Sequence, residues 1–255
     1  MMKPAGSVRV EFRGPAALVT LDRPPLNVLD LATIRELRDA LTELTARRDA
    51  KVLVLRSALS GTFSAGVDVA AHAPDEVGAM LEAFHGVFRI LDAMPQLAIA
   101  AVDGRCLGGG CELAVFCDVV LATRRSVFAQ PEIDVGCFPP VAAVTLPRLV
   151  GRAAFEMILT GAPVTATEAA RIGLITRVVD DLDAEVHRWT AALATKSGAV
   201  LAIARRAVRQ GGHDSFEVAL ARAESLYRDE LIGTADCEEG VRAFLEKRPP
   251  LWTDR

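Results

Sequence analysis

Apolar residues fall along the chain at spacings that separate strands from helices. Residues 8–12 and 17–21 predict the two strands of a hairpin, with Arg13-Gly14-Pro15 as the turn. Asp30 is placed as the N-cap of a helix whose apolar positions are Leu31, Ile34, Leu37, Leu41 and Leu44. A β-rich run at 51–56 follows, closed by a turn at Ser60-Gly61. Val77, Met80, Leu81, Phe84, Val87, Phe88 and Leu91 then form a one-faced helical stripe, which Pro95 terminates. Residues 98–102 read as a short buried strand ending at Asp103-Gly104.

Strand, helix and strand in alternation predict an α/β arrangement with helices covering a sheet. A short helix is expected after Gly110, then a strand at 119–122. From about Arg152 the pattern turns helical, apart from one apolar strand candidate near 174–179. Helices are expected near 182–195, 198–210, 215–232 and 237–246, with no internal repeat, low-complexity tract or linker. The expected organisation is an α/β core over 1–196 and a helical C-terminal region over 197–255.

Composition narrows the function classes. Of 255 residues, 51% are hydrophobic and 24% charged, the profile of a folded chain long enough to bury a full core. The net charge of −4 and 5% aromatic content give little reason to expect a nucleic-acid partner. The arginine pairs at 47–48, 124–125 and 205–206 are scattered and read as solvated faces. The longest uncharged run, 135–147, is broken by three prolines and is too short to cross a bilayer. The stretch from Met1 to Ser7 lacks the apolar core of a signal peptide, so a cytoplasmic location is expected. Cys106, Cys111, Cys117, Cys137 and Cys237 fit no zinc spacing and are expected as free thiols, with no metal site.

Two glycine-bearing turns carry candidate chemistry. They are Phe63-Ser64-Ala65-Gly66-Val67-Asp68 and Leu107-Gly108-Gly109-Gly110-Cys111-Glu112. Successive glycines let backbone approach a ligand, and a helix start leaves N–H groups without partners, suited to an oxygen that gains charge during a reaction. A triple glycine alone is as readily a tight strand-to-helix connection, and no Gly-Lys-Ser/Thr follows to make a phosphate loop. Glu112 two residues on, and Glu132 in Gln130-Pro131-Glu132-Ile133, add two carboxylates suited to proton transfer. His72, after the first turn, reads more simply as an exposed or capping histidine than as a pocket residue, and His85 fits a helix face.

Together these segments resemble the crotonase (enoyl-CoA hydratase/isomerase) superfamily over nearly the whole chain. The resemblance is carried by Leu21-Asp22-Arg23-Pro24, the two glycine turns through Leu113-Ala114, Cys117-Asp118 and Gln130-Pro131-Glu132. Gly161, Ala169 to Gly173-Leu174 and the terminal Phe244-Leu245-Glu246-Lys247-Arg248 complete it. It implies a crotonase-like spiral of ββα units with a helical C-terminal trimerisation region, giving a homotrimer or a dimer of trimers. It implies that the backbone N–H groups of Ala65 and Gly109 form the oxyanion hole, and that Ala65, Gly66, Val67 and Asp68 lie along bound CoA. Glu112 and Glu132 fall on the two positions that are both glutamate in enoyl-CoA hydratases. The expected reaction is hydration of an α,β-unsaturated acyl-CoA. No metal or redox cofactor is called for, because coenzyme A arrives as part of the substrate.

Two departures from the family pattern bear on the substrate. Where hydratases continue Gly-x-x-Pro-Gly-x-Gly-Gly, this chain reads Gly136-Cys137-Phe138-Pro139-Pro140-Val141-Ala142-Ala143, and Pro140 has no N–H to donate. Pro25 stands where many relatives place a lysine beside the CoA 3′-phosphate, leaving Lys247 or Arg248 of a neighbouring subunit as substitutes. The stretches 72–106, 130–143 and 223–248 look like cyclohexa-1,5-diene-1-carboxyl-CoA hydratases, which also lack the glycine-rich segment. Competing expectations are a crotonase-fold enoyl-CoA isomerase or acyl-CoA C–C hydrolase and, in a different class, a non-catalytic acyl-CoA- or RNA-binding member.

Overall fold

The computed structural model describes residues 6–73, 75–211 and 216–255. Met1 to Ala5 of the N-terminal stretch and Ser215 of the third C-terminal helix lie outside them. The chain opens with β1 (Val8–Arg13), β2 (Ala16–Leu21) and α1 (Leu31–Thr45). It continues through β3 (Val52–Ser57), β4 (Thr62–Ser64), a single 3₁₀ turn at Val69–His72, and α2 (Val77–Ala93). Next come β5 (Leu97–Val102), β6 (Arg105–Leu107) and α3 (Gly109–Val115), then β7 (Val119–Thr123) and β8 (Val127–Ala129). A 3₁₀ segment at Pro131–Val135 leads into α4 (Pro140–Val150), α5 (Ala153–Thr160), β9 (Val164–Thr165), α6 (Ala166–Arg171) and β10 (Arg177–Val179).

These strands build two sheets. The larger runs β1-β2-β3-β5-β7-β10, antiparallel only at the β1–β2 hairpin, where Val8 faces Leu21 and Arg13 faces Ala16. The smaller runs β4-β6-β8-β9 and is parallel except at its β9 edge. Each turn of the chain adds one strand to each sheet before its helix: β3-β4-α2, β5-β6-α3, β7-β8-α4. This is the expected spiral of ββα units.

Alternation along the strands explains the layers. Leu53, Leu55, Ala98, Ala100 and Val102 face the main core under α1 and α2, which contribute Ile34, Leu37, Leu41, Met80, Phe84, Val87 and Leu91. Val52, Val54, Ile99, Val119 and Leu121 face the other way. They are covered by Leu182, Val186, Trp189 and Leu193 of α7 (Leu182–Ala194). The Asp30 carboxylate caps α1 through Thr33 N–H at 2.8 Å, and the Pro95 boundary of α2 falls within two residues of its end at Ala93.

Beyond α7 lie α8 (Gly198–Gly211), α9 (Phe216–Ser225) running into a wider π-helical turn at Leu226–Leu231, and α10 (Ala235–Leu245). Thr234 caps α10, whose first residue, Ala235, lies two residues ahead of the expected start. The strand expected over 174–179 shrinks to β10, because Leu174 and Ile175 are buried as a loop whose N–H groups both go to Ala169 O. No helix among the described residues is long and apolar enough to cross a membrane.

Candidate active site

The small sheet delivers both glycine turns to one place. β4 ends at Ser64 and runs into the first turn; β6 ends at Leu107 and runs into the second. Buried Asn27 holds the approach: its Nδ2 donates to Ser57 Oγ at 2.8 Å and to Phe63 O at 3.0 Å, while its carbonyl accepts from Ser64 Oγ at 2.7 Å. The sequence gives no signal for this role of Asn27, since Ser57, Phe63 and Ser64 lie 30 or more positions away in the chain.

The first turn is stitched to segment 26–29. Ala65 N–H donates to Leu26 O at 3.0 Å, Leu29 N–H to Gly66 O at 2.8 Å and Asp68 N–H to Leu29 O at 3.2 Å. Ala65 N–H is therefore occupied, which corrects its expected place in the oxyanion hole. Gly66 N–H is also used, by Ser64 Oγ at 3.1 Å. Val67 N–H has no acceptor among the described residues, and neither has Gly109 N–H at the start of α3. Ala65, Gly66, Val67 and Gly109 all line one cavity of about 220 Å³. Asp68 does not; its carboxylate caps the turn Val69–His72 through Ala70 N–H at 3.0 Å.

The close approach of the turns explains the triple glycine. A Cβ on Gly109 would stand 2.7 Å from Val67 Cγ2 and 2.9 Å from Phe84 Cζ. Gly108 has φ of +52°, and a Cβ there would meet Glu132 Oε1 at 2.8 Å. Side chains at these positions would force apart the turns that the cavity needs together.

Glu112 and Glu132 reach the same cavity from α3 and from the 3₁₀ segment Pro131–Val135. Glu112 is only 2% exposed, and burial pushes its carboxyl up to about 7. Ala142 N–H, donating to its Oε1 at 2.7 Å, opposes that shift, and the charge of Glu132 adds to it. Burial also raises Glu132, against its own backbone N–H and His72. With its amide nitrogen turned inward, Gln130 donates to Gly108 O at 3.2 Å and Glu132 Oε2 at 3.3 Å.

The departure at Pro139-Pro140 takes a definite form. The two prolines are the N-cap and first residue of α4, so the missing Pro140 N–H falls where a helix has no internal acceptor for it. The third residue of that turn, Ala142, gives its own unpaired N–H to Glu112. Phe138, Pro139 and Pro140 line the cavity, as do Met80, Leu81 and Phe84 of α2. His72 and His85 line it too, so the simpler surface reading of His72 gives way to a place in the site. Arg248 is held within its own chain by Glu239, at 2.6 and 3.0 Å, and by Glu246 at 2.6 Å.

A family model described as enoyl-CoA hydratase/isomerase matches residues 11–255. The chain is 37% identical to the cyclohexa-1,5-dienecarbonyl-CoA hydratase of Thauera aromatica, over 97% of this chain and 96% of that one. It is 34% identical to the crotonyl-CoA hydratase of Syntrophomonas wolfei, over 95% and 96% of the two chains. Its fold matches a crystal structure of an enoyl-CoA hydratase from Mycobacterium smegmatis with a TM-score of 0.91 and 30% identity, covering 97% of this chain and 99% of that one.

Proposed function

The chain belongs to the enoyl-CoA hydratase/isomerase family, and from that premise we infer that it is an enoyl-CoA hydratase, a lyase adding water to an α,β-unsaturated acyl-CoA. The observation that carries the reading is the meeting, on one cavity, of two differently buried carboxylates and two backbone donors without acceptors.

The thioester oxygen is received by Val67 N–H and Gly109 N–H. As water attacks the β-carbon, charge moves onto that oxygen, and each such donor is worth roughly 3 kcal/mol. The carboxylates divide the proton work because their environments differ. Glu112, raised to about 7, is the acid that protonates the α-carbon, and Glu132 is the base that takes a proton from the attacking water. Return of that proton from Glu132 to Glu112 closes the cycle with one water consumed. No electrons are transferred, so the step needs no redox cofactor.

The acyl group is the finer question. Phe138, Pro139 and Pro140 replace a glycine-rich segment with rigid bulk beside the carboxylates, and the missing Pro140 donor removes a hydrogen bond near the reacting water. We therefore assign an alicyclic dienoyl-CoA as the preferred substrate, supported by the 37% identity to the Thauera aromatica protein. A spectrophotometric screen of enoyl-CoA thioesters tests both levels. The ratio of kcat/KM for cyclohexa-1,5-diene-1-carboxyl-CoA over crotonyl-CoA is expected to exceed one. A ratio below one removes the narrower assignment, and no hydration of any thioester removes the hydratase reading.

The same reading includes a cytoplasmic enzyme with free thiols and a homotrimer or dimer of trimers built through the helical region 197–255 on the core 1–196. The support is that β10 is the last strand and α7 to α10 follow it. Lys247 of a neighbouring subunit is then the cation for the CoA 3′-phosphate.

A further inference from the structure

Two arginines of α8, outside the catalytic cavity, hold the far ends of the two helices that line it. Arg205 is 7% exposed, and its guanidinium donates to Leu91 O and Met94 O at 2.5 Å and to Asp92 O at 3.1 Å, the carbonyls at the end of α2. Arg209 Nη2 donates at 2.7 Å to Phe116 O, which closes α3. Asp118 joins the two. It accepts from Arg205 Nε and Arg209 Nε at 2.7 Å each, and from Ala98 N–H at 2.7 Å in β5. Charged donors thus satisfy carbonyls that helix ends leave open.

The two arginines differ in what depends on them. Without Arg209, Arg205 still serves α2 and Asp118, but among the described residues Arg209 is the donor to Phe116 O. Two paths then lead from Arg209 to Gly109. Along α3, Phe116 stands about 10 Å from Gly109, the length of a two-turn helix. Across the core, the Arg209 guanidinium lies 4.8 Å from the centre of the Phe116 ring. Phe116 meets Phe88 edge-on at 5.2 Å, and Phe88 meets Phe84 edge-on at 4.9 Å. Phe84, with Val67, leaves no room for a Cβ on Gly109. Close-packed groups pass a displacement on instead of absorbing it.

We propose that Arg209 is a positioning residue: by fixing the end of α3 and the Phe116–Phe88–Phe84 stack, it sets where Gly109 N–H and Glu112 stand in the cavity. The catalytic consequence rests on the hydratase reading. Val67, on the other turn, is outside its reach, so binding of the acyl-CoA is spared while the step that needs both donors slows.

Arg209 also lines an open cavity of about 530 Å³ between α8 and the end of α2, through which a free guanidinium can reach the place of its side chain. The test is Arg209→Ala with and without millimolar ethylguanidinium. On the fastest thioester, kcat is expected to fall about tenfold with KM within about twofold, and ethylguanidinium to restore most of the loss. Butanoyl-CoA with an isotope-labelled carbonyl has no double bond to hydrate, so it reads the donors apart from turnover. Its infrared C=O band, lowered on binding to wild type, is expected to move back up in Arg209→Ala. Arg206→Ala, on the same helix but paired with Glu230, is expected to leave both readings unchanged. An unchanged kcat and band in Arg209→Ala, even with a lower unfolding temperature, overturn the proposal, as does an equal change in Arg206→Ala. Should Arg209→Ala not fold, Arg209→Lys has one amine for both Phe116 O and Asp118, and is expected to show the same two changes in smaller measure. Absence of both changes in Arg209→Lys overturns the proposal. A wild-type band that does not move on binding, with no thioester hydrated, removes the hydratase reading and the proposal with it.

Discussion

At the scale of single residues, the chemistry depends on which polar groups the fold leaves unpaired. Glu112 and Glu132 were legible because a carboxylate close after three glycines and another after a proline are unusual company. The backbone N–H left without an acceptor beside Gly109 was not. Ala65 and Val67 are equally plausible in the motif, and only the contact with Leu26, 39 positions earlier, shows that Ala65 N–H is taken. Replacing Glu112 or Glu132 by Gln is expected to lower turnover at least about a hundredfold while sparing acyl-CoA binding. Near-normal turnover in either variant would remove that residue from the mechanism. Glu112 also has a stability signature. Its folded value of about 7 lies above the ordinary 4.5, so folding binds a proton there. The stabilisation is complete below pH 4.5 and is lost as pH rises through 7, up to about 3 kcal/mol. Glu112→Gln should flatten that decline, and urea midpoints at pH 4.5, 6 and 8 would measure it; parallel curves for the two proteins would refute the buried-acid account.

At the scale of elements, legibility followed length. The stripes of α1 and α2 span four turns or more, and most of their apolar positions are buried, with Leu31, Val77 and Leu81 half-buried and Thr33 and Ala83 buried beside them. β4, β6 and β8 have three residues each, too few for a period of two to register, so the small sheet went unseen. Yet that sheet brings the two glycine turns face to face. Glycines of the two kinds should therefore respond oppositely to a methyl group. Gly109→Ala would press against Val67 and Phe84, and is expected to destabilise by about 1–3 kcal/mol and to abolish most activity. Gly86→Ala, inside α2 with nothing nearer than Arg38 Cδ at 3.8 Å, is expected to stabilise by about 0.5–1 kcal/mol. Thermal unfolding of both variants checks the pair, and equal shifts would show that crowding between the turns is not what holds Gly109.

At the scale of the whole molecule, the last helix is secured on one side and unpartnered on the other. Asp236 and Glu239 are buried on the inner face of α10 and hold the terminal segment back against it. Asp236 accepts from Thr253 N–H at 2.7 Å and Asp254 N–H at 2.9 Å, and Glu239 from Leu251 N–H at 2.8 Å. Trp252 Nε1–H donates to Thr195 O at 2.7 Å, and Asp254 meets Lys51 at 2.9 Å, so the segment ties α10 to the core in cis. The outer face of the same helix shows Val241, Phe244 and Leu245, with Phe244 82% exposed. Large apolar side chains clustered this way mark a contact surface. A second copy of the chain is the occupant proposed for it, and a helix held by its own tail has little conformational entropy left to lose on such docking. The expected state at micromolar concentration is a trimer or hexamer by light scattering, and Phe244→Asp should shift it toward monomer without lowering the unfolding temperature of the core. A stable wild-type monomer would refute the assembly.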